Sequence, residues 1–220
     1  MTRSGRSPCG AHSLAIFCCL TVAGCYLGSA RNFSPKQLEG ESGWIYVPDV
    51  PLVLQSEDSD CGAAALAMAM GYWGSPVALE EIDAVYPRDS GHGFKAGALR
   101  DFARTRGLAA YIVSGRLIDI QLELEKGRPV IVGLQKRYPK RFLSHYEVVV
   151  GIHPKQKRIA TLDPARGWRE NTWNGFLAEW RPARQLTLIM FNLGEPPPTA
   201  ASTNSEMVRP DASARRNAGR

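Results

Sequence analysis

The apolar residues of this chain change character about halfway along its length, and that change limits the folds open to it. Between residues 61 and 127 they fall mainly in helical runs. The first, from Cys61 to Trp73, is built mainly from Ala, Leu, Met and Gly, and Gly74 is placed to stop it. Ser75-Pro76 opens a second run, VALEEIDAVY, with Pro at an N-terminal position that tolerates it. A third, residues 94–106, puts Leu99, Phe102 and Ala103 on one face and ends at Gly107. A strand, LAAYIV (108–113), and a helix, LIDIQLELEKG, follow. From Pro129 onward the segments 129–134, 145–152 and 158–163 are rich in Val and Ile and read as strands, the last two joined by the turn HPKQKR. Thr172 is a cap for a short helix, NGFLAEW, before a final strand, QLTLIMF. A further short strand is expected at Pro51–Leu54. Helices first and strands afterwards specify an α+β domain with a mostly antiparallel sheet.

The 220 residues suffice for one such domain with tails, and 44% hydrophobic residues supply its core. The net charge of +6 comes without any nucleic-acid motif, so the basic tract QKRYPKR (135–141) reads as a solvated loop and no nucleic-acid partner is expected. At the N-terminus Arg3 and Arg6 precede an apolar run, Ser13 to Gly24, that is too short for a comfortable membrane span and has the form of an export signal. The tetrapeptide Val22-Ala-Gly-Cys25 resembles a bacterial lipobox, in which cleavage before the cysteine is coupled to its lipidation. The expected organisation is a lipoprotein signal (1–24), a polar tether starting at Cys25 (25–45), the folded domain (46–194) and a disordered tail (195–220). The expected location is the bacterial cell envelope, with the lipid at Cys25 holding the protein to a membrane facing the periplasm; Tyr26 rather than Asp follows the cysteine, which by resemblance to enterobacterial lipoprotein sorting implies the outer membrane by preference.

That organisation sorts the five cysteines. Cys9, Cys18 and Cys19 leave with the signal and Cys25 carries lipid, so Cys61 remains as a lone free thiol. A structural disulfide is therefore not expected. The absence of CxxC pairs and of His/Cys ligand spacing argues against zinc, and no metal or other cofactor is implied.

Cys61 stands where its helix begins, and free backbone N–H groups with the positive end of the helix dipole favour a thiolate there. Gly62 leaves space above the sulfur, and Ala63 to Ala65 let the helix lie close to other elements. Asp60 is a good capping type whose charge opposes a thiolate unless it points away. By itself the stretch fits equally well a small buried cysteine in a tight helix. A nucleophile needs a base and an oxyanion donor. Of the four histidines, His12 lies in the signal, His92 in a glycine-flanked loop and His153 at a hairpin turn where exposure is expected. His145 opens a Val-rich strand that would hold its ring, and Asp163 ends the next strand before Pro164 and Gly167 turn the chain away. An Asp so placed can fix the tautomer of a catalytic His.

Gln55 six residues before Cys61-Gly62, then His145-Tyr146 opening a strand, then Asp163-Pro164 with Gly167, together resemble the C39 family of papain-like cysteine peptidases over residues 50 to 193. The resemblance implies the papain-like fold, with a helical part packed on an antiparallel sheet and the site in the cleft between them. It implies Cys61 as nucleophile, His145 as general base and acid, Asp163 as the residue orienting His145, and Gln55 with the Cys61 N–H as oxyanion hole. The chain departs from the exporter-borne members of that family in lacking a phosphate loop of the form GxxxxGK[ST] and a transmembrane bundle, so neither ATP hydrolysis nor transport is expected. Three functions remain open at this level: a peptidase acting on a peptide or protein, a papain-like amidase or acyltransferase, and a non-catalytic peptide-binding module.

Overall fold

A helix that is apolar on every side is stable only inside a protein. In the computed structural model, which describes residues 26–85 and 93–194, the segment opening at Cys61 is such a helix. Helix α2 (Cys61–Tyr72) is buried at every residue except the half-buried Gly71. Its small side chains permit close approach, and a Cβ on Gly71 would stand 2.9 Å from the Pro51 ring. The helix ends in a Schellman motif: Ser75 N–H donates to Met70 O, Gly74 N–H donates to Gly71 O, and Gly74 takes φ +72°. Around it pack α3 (Leu79–Val85) through Ile82 and α4 (Ala96–Thr105) through Leu99, Phe102 and Ala103. Pro76 lies ahead of α3 rather than within its first turn.

Among the described residues the sheet has eight strands, all paired antiparallel: β1 (Arg31–Asn32), β2 (Ile45–Tyr46), β3 (Ala109–Ser114), β4 (Val130–Tyr138), β5 (Arg141–His153), β6 (Arg158–Asp163), β7 (Gly167–Thr172) and β8 (Leu186–Phe191). Their order is β1-β7-β6-β5-β4-β8-β3, with β2 added to the far end of β5. Helix α5 (Leu117–Glu125) leads into β4, and α6 (Trp173–Trp180) is capped as expected, Thr172 Oγ1 accepting from Gly175 N–H at 3.1 Å. Val and Ile from β4, β5 and β6 meet α2 to form the core. The α+β expectation holds: the structure is a mixed fold in which helices pack on an antiparallel sheet. No helix among the described residues is long and apolar enough to cross a membrane.

Several local expectations are corrected. The stretch read as a tether is part of the fold from residue 26: Leu27 N–H donates to Arg137 O, β1 pairs with β7, and α1 (Lys36–Gly40) buries Leu38. Polar composition concealed it, since only isolated residues such as Phe33, Leu38 and Trp44 go inside. Pro51–Leu54 forms no strand; Gln55 N–H instead donates to Pro164 O, docking the segment against the β6–β7 turn. The basic tract 135–141 is no loop but the ends of β4 and β5 and their turn, with Lys136 buried. Strand β7 was not foreseen, because its sequence GWRENT carries polar residues that are buried by pairing rather than by apolarity. His153 is 2% exposed, its Nε2 facing Ser42 O at 3.2 Å and its ring against Trp44. The segment expected to be a tether is what covers it. The expected signal, His12, Cys25, His92 and the tail 195–220 lie outside the described residues.

Candidate active site

Two hairpins and one helix start bring the candidate residues together. His145 lies inside β5 rather than at its start, because the strand begins at Arg141. The pair Val148↔Leu162 sets the β5–β6 register, and one step further along it Asp163 falls opposite Glu147, diagonal to His145 on the same face. The β6–β7 turn then fixes the carboxylate. Ala165 N–H donates to Asp163 Oδ1 at 2.8 Å, Arg166 N–H donates to Asp163 O, and Gly167 adopts φ +74° to start the return strand. This is a three-residue hairpin loop closed by a left-handed residue, which only glycine supplies without strain.

His145 Nε2 stands 2.8 Å from Asp163 Oδ1, and both side chains are 6% exposed. The imidazole also meets Cys61, whose side chain hydrogen-bonds to it. Burial alone would lower the His145 pKa. Hydrogen bonds to Asp163 and Cys61 and the negative charge of both overcome it, pushing the imidazole up to about 10. Burial would likewise raise Asp163, yet the hydrogen bond and charge of His145 and the Ala165 N–H draw it down to about 2. The pair is therefore carboxylate and imidazolium over a wide pH range. Tyr146, beside Cys61, is pushed up to about 12 by burial and by the negative charge at Cys61.

Cys61 is the first residue of α2 and 6% exposed. Asp60 does not cap that helix with its side chain; its Oδ2 accepts from Glu57 N–H at 3.0 Å, turned back over the preceding loop. Gln55 comes to the same cleft as His145 and Asp163. Its Nε2 donates one proton to Glu57 O at 2.9 Å and keeps a second N–H, while its Oε1 is buried without a partner among the described residues. His92 falls among residues outside the description, and His153 is remote from the site, against Trp44.

Behind the His145–Asp163 pair lies a buried polar network that sequence reasoning missed. Lys136 Nζ stands 2.5 Å from Glu147 Oε1 and 3.0 Å from Glu179 Oε2. Thr161 Oγ1 donates to Glu147 Oε2 at 2.6 Å, and the Tyr26 hydroxyl donates to Glu179. Burial would lower the Lys136 pKa, but the two carboxylates raise it, so the ammonium persists. The available signal was alternation: His145 and Glu147 share one face of β5, as Leu134 and Lys136 share one face of β4. Donor atoms of His145, Glu147 and Asp163 lie within 4.8 Å of one another, a spacing that suits a metal. Each is already engaged, Glu147 by Lys136 and Thr161, and Asp163 by His145 and Ala165 N–H, so the donor set does not fit one.

Two hollows flank the imidazole. One, of about 290 Å³, is walled by Gln55, His145, Asp163, Tyr26 and several cations. The other, of about 270 Å³, is lined by Cys61, Phe94, Leu134, Tyr146 and Leu186 with Gly93 and Gly133.

Comparison with known proteins places this geometry. The peptidase domain of Streptococcus ComA, a bifunctional ABC transporter involved in a quorum-sensing pathway, superposes with a TM-score of 0.57 at 22% identity, over 66% of this chain and 100% of that one. A C39-like peptidase from Bacillus anthracis gives 0.56 at 16%, over 69% and 99%. A double-glycine-motif protease from an AMS/PCAT transporter, solved with its leader peptide, gives 0.54 at 26%, over 67% and 95%. In sequence, 124 residues are 31% identical to the colicin V secretion/processing ATP-binding protein CvaB of Escherichia coli, covering 54% of this chain but only 15% of that protein. The profile of the Peptidase_C39 like family matches residues 47–188, which is most of the described chain, and the protein belongs to that family.

Proposed function

We propose that the protein is a cysteine peptidase that hydrolyses a peptide bond through Cys61, His145, Asp163 and Gln55. The observation that carries the reading is the buried 2.8 Å contact of His145 Nε2 with Asp163, with Cys61 as the second side chain hydrogen-bonded to the imidazole. In that arrangement His145 already carries the proton as imidazolium, and the Cys61 thiolate beside it attacks the carbonyl carbon. The second N–H of Gln55 and the backbone N–H of Cys61 receive the oxyanion. His145 then protonates the leaving amine as the C–N bond breaks, and with its proton gone it activates water to release the acyl group from sulfur. Asp163 holds the ring and the positive charge throughout without itself becoming protonated.

The double-glycine motif and the leader peptide belong to the AMS/PCAT transporter protease named above. For this chain we propose an envelope location with lipid on Cys25, which faces another compartment than a cytoplasmic leader does. The test of the chemistry is alkylation of the full chain with iodoacetamide, mapped by mass spectrometry, together with turnover of a quenched peptide library. Rapid labelling of Cys61 at about pH 6, slowed in His145→Ala, with cleavage lost in Cys61→Ala, is the expected result. Slow labelling without any cleavage would instead make the protein a peptide-binding module.

A further inference from the structure

The larger hollow beside the catalytic pair is lined by four cationic side chains, Lys136, Arg141, Arg166 and Arg169, against two carboxylates, Asp58 and Asp163. Asp163 is committed to His145, and Lys136 is committed to Glu147 and Glu179. The three arginines have no carboxylate partner among the described residues. Arg141 and Arg166 are exposed at the rim, Arg141 lying over the Tyr138 ring. Arg169 is different, because it is 8% exposed and its guanidinium bonds only neutral acceptors, Asn32 Oδ1 and Ala30 O. A guanidinium taken out of water without a countercharge is costly unless an anion visits it. Asp58, which also lines the hollow, offsets part of the charge and leaves the arginines in excess.

From this, and resting on the peptidase reading above, we infer that the hollow is a specificity subsite for a carboxylate on the leaving-group side of the substrate. The side follows from the chemistry. After attack the acyl half is bonded to Cys61 Sγ, so it occupies the hollow that Cys61 lines with Phe94, Leu134 and Tyr146. The amine half is protonated by His145, which lines both hollows, and departs through the one that Cys61 does not line. An Asp or Glu side chain or a free α-carboxylate on that half would meet planar guanidinium forks suited to bidentate pairing. The acyl half meets mainly apolar and glycine walls, so the two arms are read by different chemistry.

The test uses the full chain with Cys61→Ser, which binds without cleaving. Fluorescein-labelled hexapeptide pools are randomised at all positions but one, which is fixed as Glu, Gln or Lys, and each pool is made with a free and an amidated C-terminus. Binding of the Glu pools about ten-fold or more tighter than the Gln pools, lost in Arg141→Gln/Arg166→Gln and at high salt, supports the subsite for a side-chain carboxylate. A preference for free over amidated termini instead identifies the α-carboxylate as the occupant, with the same dependence on the arginines. Equal binding of Glu, Gln and Lys pools with equal binding of free and amidated forms overturns the inference, as does a preference that survives the double substitution. Turnover by the Cys61-containing protein is scored separately. Cleavage without acid preference sinks the subsite and spares the peptidase, whereas acid-selective binding without cleavage does the reverse.

Discussion

At the residue scale, the ion pair of His145 and Asp163 gives the sharpest expectation. Because the His145 pKa rises to about 10, its contribution to stability is complete below the ordinary histidine value of about 6.5 and is lost as pH climbs through 10. Asp163 falls to about 2, so its contribution is complete above an ordinary carboxylate value of about 3.9 and is lost as pH drops through 2. Asp163→Asn should therefore lower the thermal midpoint most between roughly pH 4 and 6.5, with the deficit shrinking toward pH 10. A deficit independent of pH in melting curves would separate Asp163 from His145. Gln55→Ala should leave the fold intact and reduce kcat by ~10²–10³, while Cys61→Ala abolishes turnover. Lys136→Met should behave differently from both, since it leaves Glu147 and Glu179 buried without their cation. A loss of ~3–5 kcal/mol in denaturant unfolding is expected.

At the scale of elements, helix and strand were legible where apolarity follows a period. Helix α2, strands β4 to β6, α6 with its Thr172 cap, and β8 could be read from residue type and spacing. Legibility failed where burial is achieved by pairing polar groups. Strand β7 buries Arg169, Glu170 and Asn171, whose partners come from Ala30, Asn32, Arg31 and Ser29, and none of these residues announces a strand. The four proposed catalytic residues were nameable from motif and chain order. The Lys136–Glu147–Glu179 network and the arginine-lined hollow were not, because each draws on elements distant in sequence. The segment from Tyr26 to Asn32 closes that hollow: Tyr26 and Ala30 line it, and Ala30 and Asn32 hold Arg169. Deleting residues 26–43 should thus do more than shorten a linker. It removes the pairing of β1 with β7 and uncovers His153 and Trp44, and a lower thermal midpoint together with loss of the acid preference is expected.

At the scale of the whole molecule, the packing of that segment changes what a lipid on Cys25 would mean. With a flexible tether the domain would sample a volume above the membrane, at roughly 5–6 Å × √n for n linker residues. Tyr26, the very next residue, is instead docked on the body: its hydroxyl donates to Glu179, its ring lies over Lys136, and it lines the hollow beside the catalytic pair. A lipidated Cys25 would then hold the mouth of the cleft against the headgroups, with Arg141 at the start of β5 lining the same hollow. Substrates would be restricted to chains that reach the membrane surface. Cys25→Ser should release the protein from the membrane fraction and abolish incorporation of labelled palmitate. Inserting about twenty Gly/Ser residues between Cys25 and Tyr26 should keep the protein on the membrane while opening the cleft to soluble peptides. Turnover of a soluble quenched peptide by vesicle-bound protein reads the difference. A rate that the insertion leaves unchanged would show that the docked segment does not hold the cleft at the surface.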